Sequence, residues 1–147
     1  MEIRKIKQTE MKDALKLVWE TFLKFEAPEY TKEGIEEFKR CIEDKNWIEQ
    51  REFIGAFEEE NIVGVIATKD ITHIALFFVD GKYHKQGVGA GLIHKLSEYL
   101  YCEMGQTSMT VNSSPYAVGF YHKLGFADTG SEQTLAGIVF TPMELII

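Results

Sequence analysis

Residues 83–93 read Tyr-His-Lys-Gln-Gly-Val-Gly-Ala-Gly-Leu-Ile, and their glycines stand where one hydrophobic pattern gives way to another. Upstream, residues 71–79 run β-branched and aromatic until Asp80 and Gly81 break the run; downstream, Val88, Leu92, Leu96 and Leu100 recur every fourth residue. The glycines therefore sit at the first turn of a helix. Main-chain N–H groups there lack internal partners and lie at the positive end of the peptide dipoles, a combination that binds phosphate oxygens. Without a Cβ, glycine lets such oxygens approach the main chain. A purely steric turn between strand and helix is the plainer alternative. Two familiar phosphate loops fit less well. The P-loop requires Lys-Ser or Lys-Thr after its glycines, and none follows here; the dinucleotide fingerprint requires a different glycine spacing near the start of a βαβ unit.

The segment closely resembles the acyl-CoA pyrophosphate loop of the GCN5-related N-acetyltransferase superfamily, whose signature is Gln/Arg-x-x-Gly-x-Gly/Ala. That signature falls on residues 84–89, with His84 in place of Gln or Arg. A second segment, from Asn112 through Ala117, Phe120, Tyr121, Lys123, Gly125 and Phe126, is similar to the family's Asn...Ala-x-x-Phe-Tyr-x-Lys-x-Gly-Phe pattern. The resemblance is strong over about residues 62–147, and in the first half it extends only to the pattern of elements. It implies an α/β fold: a mixed, mostly antiparallel sheet of six to seven strands with helices on both faces. It also implies acetyl-CoA as cosubstrate, with no metal. The diphosphate would lie on His84, Lys85, Gln86, Gly87, Val88, Gly89 and Ala90. The strands ending at Val79 and Asn112 would splay apart, and main-chain groups of Phe77, Phe78 and Val79 would pair with the pantetheine arm as an added strand does, with Asn112 as donor and acceptor.

Tyr121 is the expected catalytic residue. An amine attacking a thioester expels a thiolate whose conjugate acid has a pKa near 8.5, and a phenol in reach can donate to it, as the resemblance also implies; Tyr121 would thereby contact the cofactor as well. Oxyanion stabilisation falls to main-chain N–H groups near Phe78 or Val79. For the base that deprotonates the amine, His73 has a suitable intrinsic pKa, and Glu26 or Tyr30 at the substrate end are further choices. Trp19, Phe22, Phe25 and Tyr30 could wall an acceptor pocket, with core packing as the competing role; Phe25, Glu26 and Tyr30 are the expected substrate contacts. No Cys-His or Ser-His pairing stands out, which favours direct attack in a ternary complex over an acyl-enzyme. The resulting expectation is an acetyl-CoA-dependent N-acetyltransferase acting on the primary amine of a small molecule or peptide, as monomer or homodimer. The alternative is a non-catalytic acyl-CoA sensor or interaction module.

These residues must be positioned by elements that the rest of the chain supplies. With 147 residues, one domain spanning 1–147 is expected, and a core of ordinary size. Apolar content of 45% beside 27% charge is that of a globular protein; no apolar run reaches the length of a membrane helix and no signal sequence opens the chain, so no membrane association and a cytoplasmic location are expected. A net charge of −7 argues against a nucleic-acid surface. Residues 20–60 carry thirteen acids against six bases, the whole of that excess, while Lys82, Lys85, Lys95 and Lys123 surround the glycine loop: a field that would draw a cation to one end and a polyanion to the other. Cys41 and Cys102 read as buried and unpaired, and His73, His84, His94 and His122 form no ligand spacing.

In chain order, the pattern predicts a strand at 2–7, a helix from a Thr9 cap to 25, and a second helix from a Thr31 cap to 46, the two separated by Pro28. A hairpin follows (52–57 and 62–69), then the strand at 71–79, the long helix at 87–103 and a strand at 108–112. A helix opened by Ser114 and Pro115 and stopped at Gly125 leads to two closing strands, 127–131 and 138–147.

Overall fold

The computed structural model describes residues 1–147. An antiparallel meander forms from β1 (Glu2–Lys5), β2 (Glu52–Glu58), β3 (Asn61–Lys69) and β4 (His73–Val79). Between β1 and β2 lie α1 (Met11–Phe25), α2 (Lys32–Glu43) and α3 (Lys45–Glu49). After β4, α4 (Val88–Cys102) crosses to β5 (Ser108–Ser113), parallel to β4; α5 (Val118–Lys123), β6 (Ala127–Asp128), β7 (Gln133–Leu135) and β8 (Ile138–Ile146) follow. The sheet has eight strands in the order β1-β2-β3-β4-β5-β8-β6, with β7 also on β8. It exceeds the six to seven expected because β7 is a piece of three residues, too short for a periodic signal, while the strand expected at 127–131 shortens to β6.

Helices cover both faces. Ala14, Leu17, Val18 and Phe22 of α1 and Ile42 of α2 pack with Phe53, Val65, Ala67, Leu76 and Phe78 on one side. On the other, Val88, Leu92, Leu96 and Leu100 of α4 join Ile54, Val63, Ile66, Ile74, Tyr121 and Phe126. The four-residue spacing of α4 thus marks its buried stripe.

Local chemistry shifts several boundaries. Arg4 clamps Glu10 with two 2.8 Å hydrogen bonds, so the chain after β1 forms a tight turn over Gln8–Glu10, and α1 starts at Met11 without a Thr9 cap. Thr31 caps α2 as expected, its hydroxyl accepting from the Gly34 N–H at 3.1 Å. Asp44 then caps the separate α3 through the N–H groups of Asn46 and Trp47. Asp70 and Ile71 adopt positive φ in the β3–β4 turn, which delays β4 to His73. Cys41 is half-buried and Cys102 exposed, so the expectation that both are buried is corrected: each lies on the outer side of its helix. No helix is long and apolar enough to cross a membrane.

One irregularity governs the site. β4 pairs with β3 at Ile74 and at Leu76 but leaves Ala75 without a partner, a bulge that bends and twists the strand. The parallel pairing of β4 with β5 stops at Ile74–Val111, so β4 from Ala75 to Val79 and β5 from Asn112 onward diverge. A notch opens between them. Beyond it, the β7–β8 hairpin runs past the last β5–β8 pair, Ser113–Thr141, and its tip lies on α2, with Thr31 Oγ1 donating to the Gly137 carbonyl at 3.2 Å.

Candidate active site

The glycine loop stands at the open end of the notch. The N–H groups of Lys85, Gln86, Gly87, Val88, Gly89 and Ala90 donate to no protein acceptor; the first bond of α4 is from Gly91 to the Gly87 carbonyl, 2.9 Å. Six consecutive free donors arise because Lys85 and Gly87 both adopt left-handed φ, 62° and 83°, which turns successive peptides outward ahead of the helix. A Cβ on Gly87 would meet nothing within 4 Å, so the cradle is open at that point. Gly89 serves packing instead: a Cβ there would lie 2.7 Å from Cζ of Phe120.

His84 takes a role of its own. Its Nε2 lies 2.8 Å from the Val79 carbonyl oxygen, and its ring packs against Phe25 with centroids 4.7 Å apart. Phe25 in turn stacks on Tyr116 at 5.6 Å, so the end of α1, the loop and the turn after β5 meet above the notch. Gln86 donates to the Lys82 carbonyl at 2.8 Å, and the side chains of Lys82 and Lys85 remain exposed.

The Asp80 N–H bonds the Val63 carbonyl of β3, so by strand alternation the main-chain groups of Phe78 face β3 while those of Phe77 and Val79 face the notch. The expectation that all three offer main-chain groups to a bound arm is thereby narrowed to Phe77 and Val79, with His84 already engaging the Val79 carbonyl. Asn112 lies on the other lip, exposed. Two residues on, Ser114 was expected to cap a helix. Its hydroxyl caps nothing and is buried without a partner.

Tyr121 is 5% exposed, held by Phe77, Phe120 and Phe126 at centroid distances of 5.8, 5.7 and 5.1 Å. Its hydroxyl makes no hydrogen bond within the protein, yet it is not among the fully enclosed orphan atoms, so its oxygen keeps some accessible surface. Burial, then the charge of Glu26, pushes its ionisation well above the ordinary phenol range. Glu26 follows the last residue of α1, and its carboxylate has no ion pair or hydrogen bond. Burial first, and then Glu29, pushes its pKa up to about 8, although the residue as a whole keeps part of its surface. Tyr30 sits edge-on to Phe22 at 5.0 Å, its phenol raised by burial and by Glu26 and Glu29. Phe22 is wholly buried and stacks on Phe38 at 3.9 Å, so it is core rather than pocket wall.

The structure does not bring His73 to this group. It pairs with Thr110 at the closed end of the notch, Nδ1 2.8 Å from the Thr110 hydroxyl, and four residues of strand, about 13 Å, separate it from Phe77. Burial, then Lys69, lowers its pKa. A base role for the incoming amine is therefore withdrawn from His73, which stands at the end of β4 away from the loop.

The free amides and the open position beside Gly87 fit a diphosphate. Comparison with known proteins gives the family and the fold. The sequence model described as an acetyltransferase (GNAT) domain matches residues 26–147. No curated protein sequence matches the chain. Among solved structures, a GCN5-related N-acetyltransferase from Rhodopseudomonas palustris is similar over 99% of this chain and 95% of its own, with 21% identity and a TM-score of 0.83. The PaiA N-acetyltransferase of Thermoplasma acidophilum, determined in complex with coenzyme A, is similar over 99% and 98%, with 22% identity and a TM-score of 0.75. GCN5 of Tetrahymena is similar over 100% and 96%, with 14% identity and a TM-score of 0.73. At these identities the structural likeness concerns the fold.

Proposed function

From the premise that this chain belongs to the GNAT acetyltransferase family, we propose that it transfers the acetyl group of acetyl-CoA to a primary amine by direct attack within a ternary complex. The observation that carries this reading is the unbroken run of free N–H groups from Lys85 to Ala90 at the open end of the notch, with the unpaired hydroxyl of Tyr121 on a ring packed against Phe77. The amides of residues 85–90 and the exposed Lys82 and Lys85 would hold the diphosphate. Main-chain groups of Phe77 and Val79 and the Asn112 side chain would line the arm. Bound there, acetyl-CoA supplies an acyl group activated as a thioester.

The chain's own residues do the remainder. A phenol whose ionisation is pushed up stays protonated throughout the working pH range, so Tyr121 is always charged with the proton that a departing sulfur needs. Its aromatic neighbours exclude water and fix the ring. The main-chain N–H of Val79, directed into the notch by strand alternation, is placed to stabilise negative charge on an acyl oxygen. The acceptor enters from the α1–α2 side, between the turn at Ala27–Glu29 and the β7–β8 hairpin that Gly137 fastens to Thr31.

Calorimetry with coenzyme A, followed by release of free coenzyme A from acetyl-CoA over an amine panel, tests the reading. Binding without amine-dependent release would defeat it.

A further inference from the structure

At the end of the sheet away from the glycine loop, strand alternation brings Lys5, Glu52 and Thr68 onto the α4 face, in line with Ile54 and Ile66 of the core; Glu52 stands directly opposite Thr68. Tyr99 of α4 and Met104 just beyond its end close over this row, and the β3–β4 turn adds Asp70 and Ile71 as a rim. With Gln50 these residues line a recess of about 290 Å³, near the lower end of the range of small-molecule sites. It shares no residue with the notch. Thr68 is 2% exposed and its hydroxyl makes no hydrogen bond in the protein, yet that oxygen is not sealed off, and it lies on the wall of the recess. Its neighbours on that face, Ile54, Ile66 and Ile74, offer nothing polar. A buried hydroxyl is ordinarily paired, and here only a group inside the recess can pair it. Asp70 has no ion pair either. The bases near it are directed elsewhere: Lys69 points to the opposite face by strand alternation, while Arg51 lies 3.7 Å over the Trp47 ring and donates to the Trp47 carbonyl at 2.9 Å. Glu52 is met by Lys5, whose Nζ is 3.9 Å from its carboxylate and 4.5 Å above the Tyr99 ring. The chain thus already sets one ammonium group between an acid and this aromatic face. Ile71, at a left-handed φ of 70° that a β-branched residue rarely adopts, and Met104 leave apolar surface exposed beside it, 48% and 37%.

We infer that this recess is a binding site, separate from the notch, for a small primary ammonium compound with an apolar body: the ammonium donates to the Asp70 carboxylate and the Thr68 hydroxyl, and the body covers Tyr99, Ile71 and Met104. Other ligand classes fit less well. An anion would meet two carboxylates and no unengaged base. A metal ion would lack ligands, since no three carboxylate, imidazole or thiol groups gather there. A neutral apolar compound would leave both Asp70 and Thr68 unmatched. The inference stands whether or not the notch acetylates amines, because it uses none of the notch residues.

The experiment is 1H–13C NMR of the isoleucine and methionine methyl groups of the full chain, titrated at neutral pH with 2-phenylethylamine and, as the uncharged counterpart, 2-phenylethanol. The Cδ1 methyl of Ile71 and the Cε methyl of Met104 are expected to shift saturably with one common Kd for the amine, and the alcohol should bind at least about tenfold more weakly. Asp70→Asn should raise the Kd for the amine by about tenfold; asparagine tolerates the left-handed φ of 50° at this position, so the turn is kept. Thr68→Val should raise it by about threefold while Tm holds or rises, because an unpaired buried hydroxyl is exchanged for a methyl group of the same shape. The Cδ1 methyl of Ile35, packed in the cluster on the opposite face of the sheet, separates the two regions: an amine bound on the acceptor side of the notch would move it, with a midpoint that Asp70→Asn leaves unchanged. Unmoved Ile71 and Met104 methyls, equal binding of the alcohol, or wild-type affinity in Asp70→Asn would each overturn the inference. Shifts confined to Ile35 would overturn it too, and would leave the transferase reading intact.

Discussion

His84 reaches back across the glycine loop to place its Nε2 2.8 Å from the carbonyl oxygen of Val79, tying the last residue of β4 to the turn before α4. The first position of the loop signature therefore acts here as a strut between strand and loop. His84→Ala removes one hydrogen bond and the packing on Phe25, and is expected to weaken coenzyme A binding by about fivefold, the equivalent of roughly 1 kcal/mol. His84→Gln, able to donate to the same carbonyl, should recover most of that. Isothermal calorimetry on the three proteins decides it.

Tyr121→Phe isolates the hydroxyl. Because that group bonds nothing in the protein, its removal leaves no orphaned partner, and Tm is expected to stay within about 2 °C of wild type. Turnover should fall by about 10²- to 10⁴-fold with coenzyme A affinity unchanged. Unaltered kcat would remove the phenol from the mechanism.

Gly87→Ala places a Cβ where space is open but the backbone, at φ 83°, disfavours one. The expected cost is about 1 kcal/mol, a Tm lower by about 2–4 °C. Relaxation of that peptide toward right-handed φ would turn donors away from the cradle, so coenzyme A affinity should fall along with Tm. A variant that lost stability while binding normally would show the cradle does not depend on this turn.

Glu26 makes folding stability depend on pH in an unusual direction. Its pKa in the folded protein is about 8, above the ordinary 4.5, so between those values the native state holds a proton that the unfolded chain releases. The contribution is fully present below about pH 4.5 and is lost as pH rises through 8. Glu26→Gln cannot ionise and should melt higher than wild type at pH 8, by about 3 °C, with the difference closing toward pH 4.5. Thermal melts over that range test the sign; a variant less stable than wild type at pH 8 contradicts it.

Gly137→Ala tests the framing of the acceptor side. At φ 77°, a Cβ on Gly137 would collide with the Thr31 hydroxyl, so the hairpin tip must leave α2. The expected loss is about 2 kcal/mol of stability, seen as an urea midpoint shift, with KM for the acceptor raised more than that for acetyl-CoA.

The sequence by itself determined what depends on neighbours along the chain. The order of the elements, the buried stripe of α4, the Thr31 cap and the glycine turn feeding a helix are all written in short-range periodicity and in residue types with narrow backbone preferences. The second motif pointed to Tyr121 through its resemblance to the family pattern. Tertiary structure decided the rest, because it turns on which residues meet across the sheet. Nothing local distinguishes Ala75 from its strand neighbours; its missing partner on β3 makes the bulge, and the bulge opens the notch. That same strand carries His73 to the closed end, where Thr110 holds it, although its intrinsic pKa suited it to a base. Ser114 reads as a helix cap and is instead an enclosed, unpartnered hydroxyl. Glu26 is one acid among thirteen in its segment until folding half-buries it without a cation partner, which pushes its pKa up. Desolvation is a property of the surroundings, and only the packed chain has surroundings.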